Sequence, residues 1–336
     1  MDNIMSIVLA IFGATSQGLI WSILALGVYI TFRILNFADL SCEGSFALGG
    51  SVSAILVVGL HWNPFISVII ATIAGMLAGI ITGYLHTKLK IPAILSGILT
   101  MIALYSINLR IMGQANTPLL GESTVISIVK GFLPAASTLG LKDSTLQNWV
   151  ILFVGLVFAA VMIGILYWFF GTELGSGIRA TGSNEAMVRA QGEDTDRMKI
   201  YGLVISNGLI ALSGGLVTQT QGYADVGMGV GAIVVGLASI VIGEVILHKK
   251  ISFAAKLTSI VLGSVIYRIV IAVVLQLGLN TNDMKLLTAI IVTIALSVPV
   301  LKKNKVIIAI SSFIHRVVNL IKRKLGIVKK QGEEEA

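Results

Sequence analysis

The sequence has one cysteine (Cys42), five prolines and few charges, with Asp, Glu, Lys and Arg making up 12% of 336 residues. A lone cysteine excludes an intrachain disulfide, and with it a disulfide-stapled ectodomain. Soluble domains carry about 25% charged residues. A chain this long and this poor in charge cannot cover itself with polar surface, so lipid is the solvent for most of it. Also missing is any Gly-x-x-x-x-Gly-Lys-[Ser/Thr] phosphate loop, which leaves nucleotide hydrolysis to another polypeptide. His61, His86 and His315 show no metal-ligand spacing, so no metal and no cofactor is expected. A membrane enzyme needs a nucleophile, an acid–base pair or a metal cluster in one place, and scattered histidines with one cysteine offer none.

What is present is apolar: 56% of the residues, with 36 glycines. Glycine lets helices approach closely inside a membrane bundle. The net charge is +8. In such a chain its placement carries more information than its sum, and no nucleic-acid partner is expected. Asp2 stands where a signal peptide would be positive, and the apolar stretch from Ile4 to Phe32 exceeds a signal core. It reads as a retained first span.

A span needs about 20 apolar residues. Candidate stretches lie at 4–32, 44–60, 64–85, 92–112, 147–170, 200–219, 226–247, 257–278 and 284–301. The weakest is 44–60, short and glycine-rich. The fold class expected is therefore an all-α polytopic bundle of about eight to nine spans. With nine crossings, the N-terminus lies outside and the C-terminus inside, and most of the 24 Lys and Arg fall on inside segments. Residues 1–301 form the membrane domain, with loop 113–146 outside and loop 171–199 inside. Residues 302–336 form a basic tail, in which Val306, Ile310, Phe313, Val317 and Leu320 share one helical face suited to the anionic inner leaflet. Glu333 to Glu335 close the chain.

A faint internal repeat is visible. Gly18-Leu19-Ile20 precedes Phe37-Ala38-Asp39-Leu40, and Gly208-Leu209-Ile210 precedes Tyr223-Ala224-Asp225-Val226. The two copies run in opposite senses, as in an inverted repeat.

In the inside loop, Ser183 is expected to cap a short helix starting at Asn184, with Glu185 in its first turn and Gly192 as the stop. On these residues alone, docking to a cytoplasmic partner and a solvated linker both stay open. The run Gly177-Ile178-Arg179-Ala180-Thr181-Gly182-Ser183-Asn184, with Gly192 eight residues on, resembles the coupling loop of permease subunits of bacterial ABC importers, in the family of branched-chain amino acid and ribose permeases. Leu35-Asn36-Phe37-Ala38-Asp39, followed by Glu43-Gly44, is similar to that family's segment after the first span. The stretch from Leu104 to Gly113, with Ala115-Asn116 and Pro118-Leu119-Leu120, looks like a subgroup proposed to carry tryptophan or other aromatic amino acids. The acidic run Glu193-Asp194-Thr195-Asp196 departs from the family pattern and suggests an acidic docking surface.

The resemblance implies a type II ABC importer permease. It implies a homodimer in a bacterial inner or plasma membrane, two cytoplasmic ATPase subunits, and an extracellular lipoprotein that delivers substrate. It places ATPase coupling on Arg179, Gly182, Ser183, Asn184, Glu185 and Gly192.

Ionisable groups inside a bilayer are functional candidates. Arg268 lies mid-span and is expected either to pair with Asp225 or Glu43, to meet a substrate carboxylate, or to snorkel. Asp39 and Glu43, in a polar break, are gate candidates. Asn108, Arg110 and Asn116 face the outer side, and Glu244 the inner. The translocation path is thus expected near Asp39, Glu43, Asn108, Arg110, Asp225 and Arg268. An ion-coupled secondary transporter is the alternative, but it wants more buried acids than the chain holds.

Overall fold

A computed structural model describes residues 2–134, 143–246 and 252–276, with isolated positions from 286 to 297; side chains are described from Leu9 onward. The expected span 284–301 lies largely outside the described residues, and the tail 302–336 and His248 wholly so. The chain divides into two units, Met1–Val292 and Thr293–Ala336. Every element below belongs to the first.

In order these are α1 (Asp2–Tyr29), running into a π-helical turn (Ile30–Ile34), then α2 (Ser41–Val58), α3 (Pro64–Thr87), α4 (Ala93–Met112), β1 (Asn116–Pro118), α5 (Val125–Gly131), α6 (Asp143–Phe170), α7 (Glu173–Ser183), α8 (Glu185–Ala190), α9 (Thr195–Gln221), β2 (Tyr223–Asp225), α10 (Ala232–Ile246) and α11 (Phe253–Gln276). Among the described residues, seven helices are long and apolar enough to cross a membrane. The stretch 226–247 is not among them. It opens as a turn after β2, and α10 is described from Ala232 to Ile246.

The helices are inside-out relative to a soluble bundle. On α3, Ile66, Ile69, Ile73, Leu77 and Ile80 recur at three- and four-residue spacing and are exposed, while Gly75, Ala78, Gly79 and Thr82 are buried. Large aliphatics face outward, as lipid requires, and small residues let backbones meet. Interior hydroxyls tie the spans together. Ser206 Oγ donates to the Gly27 carbonyl at 2.8 Å, Ser213 Oγ to Ile20 at 3.0 Å and Ser264 Oγ to Gly18 at 2.9 Å. Gly214 of α9 lies so close to α2 that a Cβ would strike the Phe46 carbonyl oxygen.

The packing carries the inverted repeat. Helix α2 packs on α9 and α10 on α1; α3 packs on α9 and α11 on α1. Each long helix thus receives the two helices that follow its counterpart. The two Asp residues of the repeat make the same turn: Asp39 Oδ1 accepts from the Ser41 N–H at 2.9 Å, and Asp225 Oδ1 from the Gly227 N–H at 2.7 Å. Helices α4 and α9 each end on a left-handed glycine, Gly113 and Gly222. From there they lead into β1 and β2, which pair antiparallel with Asn116 opposite Asp225. The ends of both helices therefore lie on one side of the bundle.

Candidate functional site

The polar break begins where α1 loosens. The Leu35 N–H reaches the Ile30 carbonyl at 2.9 Å and the Phe37 N–H reaches Thr31 at 2.8 Å, which closes the π-helical turn. Asn36 then takes φ +54°, a left-handed conformation that asparagine tolerates. Extended backbone at this depth needs burial in protein, and Asp39 supplies the link. Its carboxylate is fully buried. Besides the Ser41 N–H, Oδ1 accepts from Ser41 Oγ, and Oδ2 accepts from Asn207 Nδ2 at 2.8 Å. Asn207 Nδ2 also donates to the Leu203 carbonyl at 3.1 Å. Asp39 therefore fastens the break and the start of α2 to the middle of α9.

Glu43, one turn further on, faces a different space. A cavity of about 420 Å³ opens between α2, α4 and the turn after β2, lined by Glu43, Met101, Ile102, Tyr105, Asn108 and Val230 among others. Glu43 Oε1 accepts from the Gly231 N–H at 2.9 Å. Asn108 is 1% exposed; its Nδ2 donates to the Gly44 carbonyl at 3.3 Å, and its Oδ1 has no hydrogen-bond partner among the described residues. A mostly apolar cavity with a few convergent polar groups is the usual form of a small-molecule site.

Near the β1–β2 pair, Arg110 and Asn116 are exposed, and Asp225 is engaged in its own turn. Arg268 meets neither Asp225 nor Glu43. Its guanidinium lies over the Trp21 ring, 4.0 Å from the centroid, and its Nε has no hydrogen-bond partner among the described residues. The expected carboxylate pairing is thus replaced by cation–π stacking between α11 and α1. Glu244 pairs with Arg33 at the end of the π-helical turn. Two residues that the sequence did not single out hold the bundle: Asn207, described above, and Gln219. The buried Gln219 amide donates to Ser67 Oγ at 2.9 Å, Ser53 Oγ at 3.0 Å and the Pro64 carbonyl at 3.1 Å. Its Oε1 accepts from the Val125 N–H at 2.8 Å. The available signal was the polar run Thr218-Gln219-Thr220-Gln221 closing an otherwise largely apolar helix.

The loop 171–199 forms two helices, not one. Ser183 ends α7, and Asn184 is the cap of α8, its Oδ1 accepting from the Met187 N–H at 3.1 Å. The helix therefore starts one residue later than expected, at Glu185. The cause is that α7 continues through Ser183, which leaves Asn184 as the first residue with extended backbone. Gly192 follows with φ +88°. Gly175, Ile178 and Thr181 make the buried face of α7. At its end Gly182 lies against the π-helical turn, where a Cβ would collide with the Ile34 carbonyl oxygen. The Arg179 guanidinium sits 5.7 Å from the Phe253 ring centroid.

Helix α8 is tied to α9. The Glu185 carboxylate takes Lys199 Nζ at 2.8 Å and Arg189 Nη2 at 3.0 Å, and Arg189 also donates to Thr195 Oγ1 at 2.8 Å. The hydrogen bond from Lys199 is the main reason that the Glu185 carboxyl is held below the usual glutamate range. The acidic run is used within the chain. Asp194 caps α9, accepting from the N–H groups of Asp196 and Arg197, and Asp196 pairs with Lys90 at 3.3 Å. Met187, 52% exposed, is left as an outward apolar point on α8.

These features match a known group. Residues 10–297 fit the family described as branched-chain amino acid transport system, permease component. The chain belongs to this permease family. A tyrosine transport system permease protein of Clostridioides difficile is 41% identical over 283 residues, 84% of this chain and 88% of that one. An uncharacterized protein of Rickettsia prowazekii is 34% identical over 287 residues, 84% of this permease and 95% of its own length. Among solved structures, PsaBC from Streptococcus pneumoniae in complex with Fab superposes with TM-score 0.45 and 16% identity, over 85% of this permease and 89% of that chain. The permease is a multi-pass helical membrane protein of the ABC transporter class.

Proposed function

We propose that this permease is the membrane subunit of an ATP-driven importer and that its cargo is an amino acid with an aromatic side chain. Two copies would form the path. A cytoplasmic ATPase would dock on α7 and α8 of each copy, and an extracellular binding protein would deliver the cargo. The N-terminus lies outside and the C-terminus in the cytoplasm, in a bacterial inner or plasma membrane. The observation that carries this reading is the contact of Gly182 with Ile34. A short helix outside the spans bears directly on the π-helical turn of a spanning helix. A push on α8 would pass through α7 to the break at 35–40 and so to α2 and Glu43. Such a lever converts differential affinity of ATP for two states into alternating access. On this reading Arg179, Gly182, Ser183, Asn184, Glu185 and Gly192 shape the docking unit. Glu43 and Asn108 line the path, Asp39 and Arg268 hold its walls, and Arg110 and Asp225 border its outer mouth. The cargo class is supported by the tyrosine transport relative.

Uptake of labelled tyrosine by cells of the protein's own host, with and without the permease gene, tests this. Uptake should persist when the ion gradients are collapsed and stop when ATP is depleted. The reverse pattern would hand the protein to the ion-coupled class.

A further inference from the structure

We infer that the cavity between α2, α4 and the turn after β2 is a binding site for a protonated amine on an apolar body, held by Glu43 and Asn108. The cavity, about 420 Å³, falls within the range of small-ligand pockets. Its wall is chiefly apolar, from Met101, Ile102, Tyr105 and Val230. Its two strongest polar groups are both short of donors. Glu43 spends one oxygen on the Gly231 N–H and makes no ion pair among the described residues. Asn108, at the cavity lining, donates from its amide nitrogen to the Gly44 carbonyl, which leaves Oδ1 as an acceptor. That oxygen is buried and has no partner among the described residues. An orphaned buried acceptor carries a cost of about 1–3 kcal/mol, which a ligand donor would relieve.

Charge makes the choice sharper. None of the lining residues is Lys, Arg or His, so the cavity has nothing to pair with a ligand carboxylate. A carboxylate in a low-dielectric wall favours a cation, and an ammonium has three donors for the two waiting acceptors. The apolar wall, with the Tyr105 ring, suits a hydrophobic or aromatic remainder. As a station for the ammonium group of an amino acid on its way through, this site rests on the proposed function. As a site for an amine, it rests on geometry alone.

The test uses one introduced thiol in the full chain. Ser106 is exposed at the cavity lining, and the native Cys42 is buried. Ser106→Cys is labelled in detergent with a trimethylammonium and a sulfonate methanethiosulfonate. Rates are normalised to those with a free small thiol. The cationic reagent should be favoured by about tenfold, as expected for a cleft of one sign. Glu43→Gln, which keeps an acceptor for Gly231, should bring the ratio near one. Tyramine should protect the thiol, while hydroxyphenylpropanoate, the same ring with a carboxylate in place of the amine, should not. Asn108→Leu should leave the charge ratio intact and abolish tyramine protection. A ratio near one with Glu43 present, or equal protection by the two ring compounds, would overturn the assignment. No ATP, ATPase or binding protein takes part, so this outcome is independent of whether the importer reading stands.

Discussion

Exchanging the partners of the Asp39–Asn207 contact gives a test in which two damaging changes should cancel. In Asp39→Asn the side chain still accepts from Ser41, but an amide NH₂ now faces the Asn207 NH₂. Turning the Asn207 amide round relieves this only by giving up its bond to the Leu203 carbonyl. The loss is one charge-assisted hydrogen bond plus a strained or unpaired buried donor, together about 2–4 kcal/mol. Asn207→Asp sets two carboxylates within hydrogen-bonding distance in a fully buried site and should cost at least as much. In the double variant the amide at position 39 donates to the carboxylate at position 207, and Ser41 keeps its acceptor. The Leu203 bond is lost and a carboxylate oxygen stands against that carbonyl, together about 1–3 kcal/mol. Thermal unfolding of the purified chain in detergent, followed by tryptophan fluorescence, provides the assay. The double variant should recover at least half of the summed loss. If Asp39→Asn alone unfolds like the wild type, or if the two losses simply add, the break is not held in the way described.

Other outcomes follow from the same contacts. Gly182→Ala forces α7 away from Ile34, and overpacking of this kind costs about 1–3 kcal/mol; ATP hydrolysis by the assembled transporter should persist while uptake falls. Gln219→Leu leaves the Val125 N–H without its acceptor and takes a donor from Ser53, Ser67 and the Pro64 carbonyl; it should cost about 2–4 kcal/mol, measured by the same unfolding assay. Arg268→Ala removes the stacking on Trp21, worth about 0.5–2 kcal/mol, and should lower stability or transport; behaviour like wild type would make the arginine a bystander. The depressed Glu185 carboxyl stabilises the attachment of α8 to α9 fully above the ordinary glutamate value of about 4.3. That contribution is lost as pH falls from there through the lower folded value. Hydrogen exchange of α8 should rise in that acid window, and Glu185→Gln should remove the pH dependence.

Much of the bundle is legible from apolar length alone, because a span must satisfy its backbone internally and face lipid. The segment 226–247 shows what that signal leaves out. Its composition is as apolar as a span, yet its first residues form the turn at 226–231 that reaches Glu43 and Ala115, and hydropathy does not show where such a turn ends and α10 begins. Asp39 stood out as a carboxylate in a polar break, but its partner Asn207 sits 168 residues away in a helix that reads as an ordinary span. The π-helical turn left no trace in the periodicity, so the contact between Gly182 and Ile34 was invisible although Gly182 itself was singled out. The cap of α8 was placed one residue early because Ser183 and Asn184 both cap well, and only the continuation of α7 decides between them. Arg268 was read by charge, and charge alone does not foresee an aromatic partner such as Trp21.

The central claim is that α7 and α8 carry an ATPase. Met187, exposed on α8, offers the most direct probe. Tagged permease drawn from membranes of its own host in mild detergent should bring an ABC ATPase with it, identified by mass spectrometry and by ATP hydrolysis. Met187→Asp should insert and purify normally but come down alone. A wild-type preparation that is clean of ATPase, or a Met187→Asp variant that retains it in full, would contradict the claim.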